Sequence, residues 1–189
     1  PPPEQPHGSS QTALETGPPV IPEFKEGTLP WRIRGLIKQM RPEQWVKNSF
    51  VLAPLVFAKH LNHPSIIISA VGGFGVFCLL ASGIYTMNDL VDVEADRVHP
   101  KKRFRPIASG RVPIWAGKAL ATVLISVALV GAAIGPRPFL YTALAYLGLQ
   151  VAYSFKLKKI AYLDVGCISL GFVLRVLAGS FAVRVPPSF

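Results

Sequence analysis

Asp89, Asp92 and Asp96 follow one another at intervals of three and four residues where a long apolar run ends, with Asn88 beside the first. At about 100° per residue, Tyr85, Asp89, Asp92 and Asp96 share a narrow arc of one helix. Asn88 borders that arc and Glu94 points away from it. Carboxylates this close repel one another and hold their protons more tightly. A hard divalent cation removes that repulsion, and Mg²⁺ suits carboxylate, amide and phosphate oxygens while keeping some water. The simpler reading is a solvated acidic helix end balanced by nearby arginines. Its place at the mouth of an apolar helix, where charge is costly, favours a site for a metal-bound diphosphate.

The next residues supply the opposite charge. Arg97, Lys101, Lys102, Arg103, Arg105 and Arg111 punctuate a loop that also holds His99, Pro100, Phe104 and Pro106. Arginine offers a planar fork that matches phosphate oxygens, and lysine a compact charge. Phe104 and the two prolines suggest an ordered element. The competing reading is topology alone, because cytoplasmic loops are basic in any case. His99 reads as a loop residue before it reads as a ligand. Lys47 and Asn48 either face the site or, for Lys47, snorkel.

The elements that must position these groups are helices in a bilayer. The chain has 189 residues, is 50% hydrophobic and 16% charged, and carries a formal charge of +10. Soluble domains carry more charge, roughly a quarter of their residues. A basic balance can mark nucleic-acid binding, but the apolar content excludes a nucleic-acid module. Residues 1–29 are rich in Pro, Gly, Ser and Glu, have no apolar core, and read as a disordered tail. Residues 30–41 form a basic amphipathic helix of the interfacial kind, with Trp31, Ile33, Leu36, Ile37 and Met40 roughly on one side. Residues 42–189 read as an all-α, polytopic transmembrane bundle. Cys78 and Cys167 lie in apolar runs and read as small packed hydrophobes.

About five spans are expected, near 49–58, 64–87, 113–135, 138–153 and 160–183. The first is short against the ~20 residues a bilayer needs. The second carries Gly72, Gly73, Gly75, Ala81, Ser82 and Gly83, which would let neighbouring helices approach. Asp164 and Arg175 fall in the fifth and should face the bundle interior or, for Asp164, the interface. Basic residues cluster before the first span, between the second and third, and between the fourth and fifth, where Lys156, Lys158 and Lys159 follow Tyr153. The excess of positive charge therefore puts the amino end and the acidic strip in the cytoplasm of an inner or plasma membrane. His60 and His63 then lie on the far side, away from any metal role.

The pattern Asn-Asp-x-x-Asp-x-x-x-Asp at 88–96 resembles the first aspartate-rich motif of the UbiA superfamily of membrane transferases. Longer blocks are more specific. Arg41–Asn48, Glu94–Asp96, His99–Gly110 and Gly171–Gly179 resemble the decaprenyl-phosphate phosphoribosyltransferase branch. That resemblance implies Mg²⁺-dependent transfer of 5-phosphoribose from phosphoribosyl diphosphate to a polyprenyl phosphate, an early step toward cell-wall arabinan. Carried over by motif, Asn88, Asp89, Asp92 and Asp96 would hold metal, with Asp89, Asp92 and Asp96 catalytic. Lys47, Asn48, Tyr85, Arg103, Arg105, Tyr153, Lys156, Lys158 and Arg175 would contact substrate.

The superfamily has about nine membrane helices and a second acidic region. This sequence starts with Pro1 and stops at Phe189 after about five, so it is expected to be part of a longer enzyme, or a truncated product, with little activity alone. Two other readings stand beside this one. An aromatic prenyltransferase would use a polyprenyl diphosphate as donor, and a non-enzymatic membrane subunit would bind lipid phosphate without turnover. Homo-oligomerisation is compatible with each.

Overall fold

The computed structural model describes residues 27–57, 62–155 and 163–184. Among them the regular structure is helical, without strands. The tail before Gly27 and His60, Lys156, Lys158 and Lys159 lie outside the described residues.

Helix α1 spans Leu29–Gln39 and starts on Pro30, whose fixed φ suits a first turn. Its faces divide differently from the expectation. Gly35 and Gln39 are buried, while Leu29, Ile33 and Ile37 form an exposed apolar stripe. That stripe suits lipid, and the buried side is small and polar because it meets a charged site.

The first expected span begins earlier than 49. Pro42–Leu52 winds as a 3₁₀ helix and continues into α2, Ala53–Phe57. The tighter 3₁₀ winding rises about 2.0 Å per residue against 1.5 Å for an α-helix. Laid end to end, these two pieces reach about 30 Å, near the thickness of a bilayer core. Among the described residues this segment is not one of the helices long and apolar enough to cross a membrane.

Helix α3, Pro64–Val91, is the central element. Its 28 residues measure about 42 Å, longer than a hydrocarbon core of about 30 Å, so its last turns can stand outside the lipid. The short α4, Val93–Val98, follows after the single residue Asp92. Asp92 N–H donates to the Asn88 carbonyl at 2.9 Å and Asp96 N–H to that of Asp92 at 2.8 Å. Asp92 thus caps α3 through its N–H and starts α4 through its carbonyl, and the i→i+4 ladder breaks at this residue. Helices α5 (Ile114–Ile134), α6 (Arg137–Phe155) and α7 (Leu163–Ala182) complete the bundle.

By length and composition, Pro64–Val91, Ile114–Ile134 and Val165–Ala182 can cross a membrane. Helix α6 has 19 residues, but Tyr141, Tyr146, Gln150 and Tyr153 dilute its apolar character. Val123, Val127, Val130 and Ile134 on α5 and Val165, Ile168, Val173 and Val176 on α7 are exposed, as expected where the solvent is lipid. The chain is an integral membrane protein.

The core is built from Phe77, Leu80 and Ile84 of α3 against small residues of its neighbours, Ala128 and Ala132, Ala143, and Ala178 and Ala182. Small side chains allow close helix approach. A Cβ on Gly179 would collide with the Val51 carbonyl oxygen and lie 3.0 Å from Pro54 Cδ, so α7 rides directly on the first segment. Of the glycines expected to pack, Gly73 and Gly83 meet neighbouring helices, whereas Gly72 and Gly75 face open space.

Candidate active site

The site forms where the carboxyl ends of α3 and α6, the end of α1 and the basic loop converge. Leu36, Leu90, Val93, Ile107, Val112 and Ala116 make a small apolar cluster beneath it. Ile107 and Val112 are each 1% exposed, which pins the loop to the helices. Val112 N–H donates to the Pro106 carbonyl at 2.8 Å, and Gly110 turns with φ +77°, a region glycine enters without strain. His99 is structural here: its Nδ1 accepts the backbone N–H of Lys101 at 3.2 Å and of Lys102 at 3.3 Å. Arg111 Nε donates to the Trp31 carbonyl at 2.9 Å, and its guanidinium lies 4.9 Å from the Trp31 ring, joining α1 to the loop.

Asp89 is the hub. It is 3% exposed. Its Oδ1 accepts from Arg41 at 2.7 Å and Arg105 at 3.1 Å, and its Oδ2 from Gln39 at 2.7 Å and Arg41 at 2.9 Å. Arg105 also donates to Asp96 Oδ2 at 2.6 Å, and Asp96 is 2% exposed. The Arg41 guanidinium lies 5.2 Å from the Tyr85 ring. Arg41 itself sits in left-handed backbone, φ 52°, an uncommon conformation for a residue with a Cβ and a strain that surrounding contacts must hold. These contacts shape a cavity of about 280 Å³ between α1 and the loop.

The rest of the strip points to α6. Asn88 Oδ1 accepts the Ser154 hydroxyl at 2.5 Å, and Asp92 and Tyr153 are half-buried. Among the described residues no group of three His, Cys, Asp or Glu side chains is poised to hold a metal ion. The donor chemistry still fits Mg²⁺. Asn88, Asp92 and Asp96 offer an amide oxygen, which also accepts from Ser154, and two carboxylates, of which Asp96 is bonded through Oδ2 alone, and Mg²⁺ leaves the remainder of its shell to water and phosphate oxygens. Asp89 fits a metal poorly, because both its oxygens are engaged by cationic or amide donors.

Other residues expected at the site are distributed more widely. Arg105 and Tyr85 are in it. Lys47 is exposed on the 3₁₀ segment. Arg103 is exposed and stacks 4.8 Å from the Phe104 ring. Asn48 and Arg175 meet each other deep in the bundle: Arg175 Nε donates to Asn48 Oδ1 at 2.9 Å, one guanidinium NH₂ to the Tyr146 hydroxyl at 2.7 Å and the other to the Gly171 carbonyl at 3.0 Å. This buried arginine is satisfied by neutral dipoles and by the faces of Tyr146 and Phe172. Trp45 Nε1 donates to Ser82 Oγ at 3.0 Å, and that hydroxyl to the Met40 carbonyl at 2.8 Å, so Ser82 links α3 to the first segment.

Gln39 and Ser154 are not among the residues expected from sequence, and Arg41 enters there only through loop charge and the Arg41–Asn48 block, not as a site residue. A Gln and a Gly four residues apart on an otherwise basic–apolar helix were a usable signal for Gln39. Ser154 had none, since its role depends on how α6 meets α3.

The fold and the site define a helical membrane bundle with an acidic strip capped by arginines at one end. The chain belongs to the UbiA prenyltransferase family, whose profile matches residues 49–188. It is 42% identical over 160 residues to a decaprenyl-phosphate phosphoribosyltransferase of Mycolicibacterium smegmatis, covering 82% of this chain and 50% of that protein. It is 43% identical over 155 residues to the protein of that name from Corynebacterium glutamicum, covering 80% and 47%. The chain thus spans about half the length of these curated relatives. Its fold matches a solved UbiA homologue from Archaeoglobus fulgidus, bound to DMAPP and Mg²⁺, with a TM-score of 0.70 at 20% identity, covering 82% of this chain and 56% of that one.

Proposed function

We propose that this chain carries the donor-binding part of a Mg²⁺-dependent transferase that moves 5-phosphoribose from phosphoribosyl diphosphate to a polyprenyl phosphate. The observation that carries the reading is the pairing of Asp89 and Asp96 with Arg41 and Arg105 beside Asn88 and Asp92. Relatives bearing that enzyme's name, at about 40% identity over most of the chain, support the substrate class.

The chemistry follows from the groups present. Asn88, Asp92 and Asp96 would hold the metal, which when bound neutralises charge on the departing diphosphate. Arg105 sits between Asp89 and Asp96 and can turn a guanidinium N–H from carboxylate to phosphate oxygen, stabilising charge as it develops. The bond from the ribose anomeric carbon to the diphosphate oxygen breaks, and one from that carbon to a lipid phosphate oxygen forms. Inorganic diphosphate leaves with the electron pair. The lipid phosphate is already anionic, so no strong general base is required. Positive charge on the end that holds α1 and the basic loop favours a cytoplasmic site, where a soluble donor meets a lipid whose tail lies along the spans.

The test is transfer of labelled ribose phosphate to polyprenyl phosphate by the intact protein in nanodiscs, with and without Mg²⁺. Transfer of a prenyl group from a prenyl diphosphate, with no ribose phosphate reaching lipid, would overturn this reading.

A further inference from the structure

The cavity between α1 and the basic loop is separate from the Asn88–Asp92 side of the strip. Lys38, Arg41, Lys101 and Arg105 line it, against Glu43 at its rim and Asp89 in its wall. Asp89 is already paired with two of those cations, so the opening is electropositive. At about 280 Å³ it lies near the lower end of small-ligand sites, roughly 300–1,000 Å³.

Gln39 adds a second, independent feature. It is fully buried in that wall, and its Oε1 has no hydrogen-bond partner among the described residues. The orientation of the amide is determined by Asp89, because the reverse would set a carbonyl against a carboxylate. A buried acceptor without a donor costs about 1–3 kcal/mol. A phosphate brings only more acceptors. A sugar hydroxyl brings the missing proton.

Resting on the function proposed above, we propose that this cavity is a phosphosugar subsite for the far end of the donor. Lys38, Arg41 and Lys101 hold the 5-phosphate, and Gln39, whose Oε1 is closed to solvent in the free protein, turns that oxygen to a ribose hydroxyl. Arg105 lines the cavity and also bonds Asp96, which joins this subsite to the acidic strip. A donor with phosphate at both ends needs two anion sites, and a prenyl diphosphate needs one. The subsite would therefore separate phosphoribosyl transfer from prenyl transfer.

The experiment uses the intact protein in nanodiscs, wild type and the double variant Lys38→Ala/Lys101→Ala. Both lysines are exposed, so folding is not at stake. Binding of ribose 5-phosphate and of inorganic diphosphate with Mg²⁺ is measured by calorimetry, without turnover. The expected result is a loss of about tenfold or more for ribose 5-phosphate, equivalent to ~1.4 kcal/mol, with diphosphate held within about twofold. Equal losses for both ligands would reduce the lysines to general electrostatics and overturn the subsite. So would unchanged ribose 5-phosphate binding, or none in the wild type. A wild type that binds ribose 5-phosphate in this way but transfers no ribose phosphate would refute the proposed reaction and leave the subsite standing. One that transfers it while the variant keeps wild-type affinity would do the reverse.

Discussion

Replacing Asp89 with Asn removes one charge and turns one acceptor into a donor, with almost no change of shape. The two orientations of the new amide differ. With its NH₂ on the Oδ1 side it would face N–H groups of both Arg41 and Arg105. With its NH₂ on the Oδ2 side it would face Gln39 and one contact of Arg41. The second is preferred, because Gln39 can turn its amide and present the otherwise unused Oε1. The remaining oxygen would keep Arg41 and Arg105 as neutral-acceptor bonds, and the second Arg41 bond would be lost. Hydrogen bonds to charged groups contribute about 1.5–3 kcal/mol against 0.5–1.5 for neutral ones. The Arg41 and Arg105 side chains are 23% and 29% exposed, so solvent screens part of that difference. The expected cost is about 2 kcal/mol, or a fall in Tm of roughly 4–8 °C for a chain of this size. Thermal unfolding in nanodiscs without donor measures it. Glu94→Gln makes the same charge change in an exposed i,i+3 pair with Arg97 and should leave Tm unaltered. Equal shifts in the two variants, or none for Asp89→Asn, would refute the view of Asp89 as the buried organiser of both arginines.

Asp92→Asn in the intact enzyme should abolish Mg²⁺-dependent transfer, and unchanged metal dependence would remove Asp92 from the metal set. Arg41→Gly retains the left-handed backbone at low strain but deletes the guanidinium, so the KM for donor should rise while the helical circular-dichroism signal is kept. Gly179→Ala drives a methyl group onto the Val51 carbonyl and Pro54, costing about 1–3 kcal/mol. Gly148→Ala meets nothing within 4 Å and should be neutral or slightly stabilising in the same melt. Arg175→Leu strips Asn48 Oδ1 and the Tyr146 hydroxyl of a shared donor, lowering Tm with little change in the affinity of the intact protein for inorganic diphosphate.

Local chemistry was legible where it depended on neighbours in the chain. The spacing of three and four residues brings Asp89 and Asp96 to one guanidinium, that of Arg105, even across the break between α3 and α4. Long apolar runs identified α3, α5 and α7 as helices of membrane length. The first segment was harder. Hydropathy does not distinguish an α-helix from the 3₁₀ helix that Pro42–Leu52 forms.

By itself, then, the sequence determined a basic, helical membrane chain with an acidic strip at one helix mouth and a basic loop after it, since hydropathy and helical spacing act over a few turns. Which partner each charge takes was decided only by the tertiary structure. Residues 50 positions apart bring Gln39 to Asp89, and 66 separate Asn88 from Ser154. Asn48 and Arg175, 127 apart, leave the expected substrate contacts to tie the first segment to α7 within the bundle. A buried polar group takes whichever partner packing brings within about 3 Å. In this fold, packing engages Asp89 with Arg41, Arg105 and Gln39, Asp96 with Arg105, and Asn88 with Ser154.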